Sequence, residues 1–99
     1  MQINYNREAG TLTVSPEGRL DTVTAPELEK NVGELLDGVT DFVLDMSKVE
    51  YVSSVGLRVI LKMQKVMFRQ GKMKLIGVNE NVMEIFEITG FSDILNIEH

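Results

Sequence analysis

The sequence predicts an α/β domain in which a small mixed β-sheet is packed by helices. Three observations carry this: apolar alternation over residues 3–14, apolar segments at helical spacing with capping residues and glycine stops, and a strand–helix–strand order in the second half. With 99 residues, 43% hydrophobic and 25% charged, the chain suits one compact domain, 1–99, whose core needs no disulfide or metal staple.

Ile3 and Tyr5, then Leu12 and Val14, alternate with polar residues around the turn-like Glu8-Ala9-Gly10, which predicts a hairpin with one buried face. After Gly18-Arg19-Leu20-Asp21, the stretch Thr24-Ala25-Pro26-Glu27 has the residues of a capping box, with Thr24 as cap and proline in the first turn, so a helix is expected from about Ala25. Leu28, Val32, Leu35, Leu36 and Val39 follow at helical spacing, and Gly38 supplies a left-handed stop. Phe42-Val43-Leu44 is a continuous apolar run, expected as a strand covered on both faces, with Lys74–Val78 as its neighbour. A helix from about Ser54 to Gln70, closed by Gly71, joins them, which implies a right-handed crossover and parallel pairing. A last helix is expected over Glu80–Thr89, capped by Asn79, with Val82, Ile85 and Phe86 inward and Gly90 as its stop; residues 91–97 then run as an edge element or loop.

The absence of cysteine excludes thiol chemistry and thiolate metal sites, and the single histidine is the terminal His99, so neither a metal nor a cofactor is expected. No charged-then-apolar leader or long apolar run is present, and a cytoplasmic protein without membrane insertion is expected. The net charge is -5, unevenly spread: residues 51–78 carry six bases and no acid, whereas residues 79–99 carry five acids and no Lys or Arg. An acidic chain with one basic strip would repel most of a phosphate backbone, so direct nucleic-acid binding is not expected.

On the central helix Arg58, Lys62, Lys65 and Arg69 fall on one stripe at i, i+4, i+7 and i+11. Leu57, Ile60, Leu61, Met67 and Phe68 form the arc expected to meet the sheet, with Gln64 its one polar member. Val59, Met63 and Val66 lie on the opposite flank of the basic stripe. That flank is either covered by a neighbouring helix or left exposed as an adaptable docking surface beside lysines.

Two serines, Ser53 and Ser54, stand at the mouth of this helix. Either can act as an N-cap, a role worth roughly 0.5–2 kcal/mol over alanine. A hydroxyl there is also a good phosphate acceptor: the dianion would sit on free amides at the positive end of the helix dipole, with Arg58 one turn on. Its charge would alter a partner surface more than the local fold.

The stretch LDMSKVEYVSSVGLRVILKMQK, residues 44–65, resembles the phosphoswitch segment of STAS domain anti-sigma factor antagonists, in which an apolar-aspartate strand end and a short turn precede aspartate-serine-small-glycine-leucine at a helix start. GRLDTVTAPELE, residues 18–29, resembles the family's first turn and helix, and VNENVMEIFEITGF, residues 78–91, its last segment. Aligning Gly56-Leu57 with the family's glycine-leucine places Ser54 on the phosphorylated serine, with Ser53 the second candidate. The resemblance implies an antagonist that binds an anti-sigma factor serine kinase when unphosphorylated, frees the sigma factor, is switched off by phosphorylation, and is reset by a serine phosphatase. Asp21, Ser53, Ser54, Val55, Gly56, Arg58, Val59, Lys62 and Met63 are the expected partner-binding residues. Ser53 and Val55 depart from the family pattern, which commonly has aspartate and a small polar residue there, and Arg58 stands where a small residue is frequent.

An enzyme is the natural rival for an exposed serine, but Val52-Ser53-Ser54-Val55-Gly56 lacks the glycine that a strained nucleophile elbow needs before the serine, and no catalytic residue is assigned. No Walker-type phosphate loop is present. The stronger rival is another binding role within the same family: a STAS subunit of a lipid or anion transport system, recognised by fit without a phosphorylation cycle.

Overall fold

The order of elements is β1 (Gln2–Glu8), β2 (Thr11–Leu20), α1 (Thr24–Leu35), β3 (Asp41–Asp45), β4 (Val49–Val52), α2 (Ser54–Gln70), β5 (Lys72–Ile76) and α3 (Glu80–Thr89), followed by a 3-10 turn over Phe91–Asp93. This is a computed structural model and it describes residues 1–98; the expectation placed on His99 lies outside them. The sheet runs β1-β2-β3-β5, with β4 joined to β2. β1 and β2 are antiparallel and form the expected hairpin, paired from Gln2↔Glu17 to Glu8↔Thr11, so Glu8 belongs to the strand and not to the turn.

 

Ala9 and Gly10 form the two-residue loop instead, with Ala9 at a left-handed φ of 53°. β3 lies between β2 and β5 and is parallel to both, with Leu12↔Phe42 and Phe42↔Met73 as paired positions.

One face of the sheet is buried and the other is half open. Leu12, Val14, Phe42, Leu44, Met73 and Leu75 point into a single core that also takes Ala25, Leu28 and Val32 from α1, Ile60 and Met67 from α2, and Val82 and Phe86 from α3. On the other face Thr13, Val43 and Lys74 are only half-buried. The expectation that Phe42-Val43-Leu44 is covered on both faces is therefore corrected. The run alternates like any half-buried strand, because the helices that fill the core leave the Val43 side without a covering layer.

Three further corrections concern local structure. Thr24 does not cap α1: the structural cap, Val23, makes no side-chain bond. Instead the Asp21 carboxylate accepts from the amides of Val23 and Thr24 at 3.0 and 3.1 Å, so an Asx-type turn opens the helix. Second, Gly18–Asp21 is not wholly a turn. β2 continues to Leu20 through a bulge between Gly18 and Arg19, with Gly18 at φ +100°, a conformation that glycine adopts without strain. Third, Val49–Val52 is a strand, β4, paired in parallel with the end of β2 at Leu20↔Val52.

The two later helices follow their sequence signals. Asn79 Oδ1 accepts from the Val82 amide at 2.8 Å to cap α3, and Gly90 closes it at φ +80°. Beyond the 3-10 turn, Ile97 bridges to Leu75, so the tail lies along the free edge of β5. No described helix is long and apolar enough to cross a membrane.

Candidate functional site at the mouth of helix α2

The bulge in β2 and the short β4 bring two chain turns together. Leu20 and Val52 are paired, and the Ser53 amide donates to the Leu20 carbonyl at 2.8 Å, so Asp21 and Ser53 leave neighbouring parallel strands at the same end of the sheet. This is the carboxyl end of the strands, where open α/β sheets present their binding residues.

The two serines have separate roles here. Ser53 has extended backbone, φ -84° and ψ 176°, and its hydroxyl accepts from the Gly56 amide at 3.2 Å, while its carbonyl accepts from the Leu57 amide at 2.9 Å. It is half-buried and it is the N-cap of α2. Ser54 is the first helical residue and is exposed; among the described residues its hydroxyl has no hydrogen-bond partner. The sequence left open which serine caps. The geometry assigns that role to Ser53, a position where aspartate would cap equally well.

Gly56 fixes how closely the helix mouth approaches the sheet. A Cβ at this position would stand 2.7 Å from the Leu20 carbonyl oxygen and 3.0 Å from side-chain atoms of Leu20 and Val52. Only a hydrogen fits there, and that close approach holds the first turn of α2 against the ends of β2 and β4. Val55 is half-buried against the core, and Arg58 is exposed one turn beyond Ser54, on the same helical face.

Asp21 is committed to its own turn. Hydrogen bonds from the Thr24 and Val23 amides hold its carboxyl below its ordinary value against an opposing desolvation effect, with smaller help from the Thr24 hydroxyl and Arg19. Its other oxygen lies 3.9 Å from Arg19 Nε, and Arg19 stacks over the Tyr51 ring at 4.5 Å, across the β2–β4 pair. Val23 follows at 79% exposure. Arg19, Val23 and Tyr51 are surface residues of this end of the sheet that the sequence reading passed over. The signal for Arg19 and Tyr51 was the β4 strand itself, since pairing β4 with β2 puts them opposite each other.

Helix α2 buries the expected arc at Leu57, Ile60 and Met67, with Leu61 half-buried, and departs from it at Phe68. Val59 and Met63 are 3% and 4% exposed, packed towards α1, while Phe68, expected on the sheet, is 83% exposed. Burial centres on Ile60, Met63 and Met67, because α1 lies beside α2 and needs an apolar flank to pack against. Val59 and Met63 are thus not the free surface that one of the two open readings allowed; of that flank only Val66 remains exposed. Arg58, Lys62, Lys65 and Arg69 are all exposed, with Lys62 Nζ 3.0 Å from Glu29. Gln64 is half-buried, and its amide oxygen is buried without a hydrogen-bond partner among the described residues.

Comparison with known proteins agrees with this fold. The STAS domain family model matches residues 2–99. The chain is 32% identical over 101 residues to the anti-sigma-B factor antagonist of Staphylococcus aureus, covering 96% of this chain and 94% of that protein. The crystal structure of an anti-sigma factor antagonist from Mycobacterium paratuberculosis superposes with a TM-score of 0.87 at 25% identity, covering 97% of this chain and 83% of that one. The Bacillus cell fate determinant SpoIIAA in its phosphorylated form shares the fold at a TM-score of 0.75 and 13% identity, covering 99% and 92% of the two chains. With its mixed five-stranded sheet, its three helices and its full-length match, the chain belongs to the STAS domain family.

Proposed function

We propose that this protein is an anti-sigma factor antagonist controlled by phosphorylation of Ser54. In its unphosphorylated form it binds an anti-sigma factor that is also a serine kinase, and so releases the sigma factor. The kinase then transfers the γ-phosphoryl group of ATP to the Ser54 hydroxyl, and a serine phosphatase removes it. The setting is cytoplasmic and the protein contributes no catalytic residue of its own.

The observation that carries this reading is the division between the serines. Because Ser53 supplies the cap, the Ser54 hydroxyl is left unpaired and exposed on the first turn of α2. A phosphate there gains from the helix dipole and from Arg58 at i+4, so the helix tolerates it. A partner seated over the same turn does not, since roughly two negative charges would be buried in its interface. Asp21, Ser53, Val55 and Gly56 shape this turn, and Arg58 and Lys62 extend the docking face along α2. Val59 and Met63 contribute from beneath, by holding α1 against it.

Incubation with ATP and the anti-sigma kinase, followed by intact-mass and peptide analysis, tests the assignment. The expected result is one added phosphoryl group on the wild type and on Ser53→Ala, and none on Ser54→Ala. Modification of Ser54→Ala at the wild-type rate would overturn it.

A further inference from the structure

The two later helices carry opposite charge. Residues 51–78 hold six bases and no acid, and residues 79–99 hold five acids and no Lys or Arg. On α2, Lys62 is paired with Glu29, but Lys65 and Arg69 have no ion-pair partner among the described residues. Beside them a groove of about 330 Å³ opens between α1 and α2, floored by Leu36, Val59, Met63 and Val66, with Lys62, Lys65 and the Lys62-paired Glu29 on its rim. Gly33 of α1 also borders it, and a Cβ at that position would meet nothing within 4 Å, so the chain's own atoms leave this space unfilled.

Helix α3 presents the matching surface. Glu80, Glu84 and Glu87 are exposed at i, i+4 and i+7, and next to them Ile88 is 76% exposed. Read backwards, the acids follow one another at steps of three and four residues, as do Lys62, Lys65 and Arg69 read forwards. Laid antiparallel, the two helices bring Glu84 and Glu80 opposite the unpaired Lys65 and Arg69, and Glu87 opposite Lys62, which Glu29 already holds, over the same rise of about 10 Å. Within one chain this contact is not made, since α3 packs on β4 and the 3-10 turn while α2 packs on α1 and β5.

We propose that the α1–α2 groove of one copy receives α3 of a second copy, antiparallel to α2, with Ile88 over the apolar floor and Glu84 and Glu80 facing Lys65 and Arg69. Groove and helix are different patches of the chain, so the contact is heterologous and propagates head to tail into a ring or an open chain. Exposed ion pairs and one isoleucine give a weak association that salt dissolves. It does not depend on phosphorylation of Ser54.

Sedimentation velocity of the full chain over a concentration series tests the pairing at ~25 mM and at ~500 mM salt, conditions that bracket strong and weak screening. The weight-average sedimentation coefficient is expected to rise with concentration at low salt and to stay at the monomer value at high salt. Lys65→Glu with Arg69→Glu, and separately Glu80→Lys with Glu84→Lys, should each be monomeric alone, whereas an equimolar mixture of the two variants should associate again. A wild type that is monomeric throughout at low salt overturns the proposal, as does a mixture that fails to associate. A monomer whose groove resonances move only when an anti-sigma factor is added also overturns it, while leaving the proposed function standing.

Discussion

Replacing Gly56 and Gly33 by alanine, one at a time, makes the same chemical change in two helices, with opposite expected outcomes. Alanine is favoured over glycine inside a helix by about 1 kcal/mol. At Gly33 nothing lies within 4 Å of the new methyl group, so Gly33→Ala should gain about 0.5–1 kcal/mol. At Gly56 the methyl would sit 2.7 Å from the Leu20 carbonyl oxygen, which belongs to a paired strand and cannot swing aside as a side-chain end could. Overpacking costs about 1–3 kcal/mol, and against paired backbone the upper part of that range, about 2–3 kcal/mol, applies, so after the propensity gain a net loss on the order of 1–2 kcal/mol remains for Gly56→Ala. For a domain of this size that lowers the thermal midpoint by about 5–15 °C. Urea unfolding followed by circular dichroism measures both, with the midpoint shifting and the slope unchanged. Amide shifts in Gly56→Ala should concentrate at Leu20, Val52 and Ser54, where the first turn of α2 is displaced. A Gly56→Ala protein as stable as the wild type would refute the close approach that sets the position of Ser54.

The remaining predictions concern the cap, the acidic turn and the orientation of α2. Ser53→Ala should lose roughly 0.5–2 kcal/mol in the same urea titration and Ser53→Asp should retain the wild-type value, whereas Ser54→Ala should change stability little, because only Ser53 caps. The depressed Asp21 carboxyl contributes stability that is fully present above its unfolded value of about 3.9 and is lost as pH falls through the lower folded value. Thermal midpoints of wild type and Asp21→Asn should therefore differ most near neutral pH and converge below about pH 4; a constant gap down to pH 3 would contradict the turn. Phe68→Ala should stay within about 0.5 kcal/mol of the wild type by chemical denaturation, whereas Phe86→Ala, in the core, should cost about 3–5 kcal/mol.

Where local chemistry decides structure, the sequence was informative. Asn79, Gly90 and the serine pair mark the ends of α2 and α3 because caps act over three or four residues. What it did not reveal depends on partners distant in the chain. β4 is four residues long, with Glu50 and Tyr51 both exposed between buried Val49 and Val52, so it lacks the period of two; only its pairing with the end of β2 makes it a strand. Thr24 has the composition of a cap, but Asp21, three residues earlier, reaches the free amides first. The helical wheel of α2 was right in its sheet-facing arc except at Phe68, and it left open whether the flank with Val59 and Met63 is covered. Val59, Met63 and Phe68 are alike in hydrophobicity, and the position of α1 decides which of them is buried. At the mouth of α2 the residue types and spacing were legible, while which of the two serines caps the helix is decided by one hydrogen bond, from the Gly56 amide to Ser53.

The most direct measurement is a calorimetric titration of the anti-sigma factor into unmodified protein, Ser54→Ala, Ser54→Asp and the phosphorylated form. The account predicts similar affinities for the first two and at least about tenfold weaker binding for the charged forms, with all four equally folded. Equal affinity across the four would contradict it.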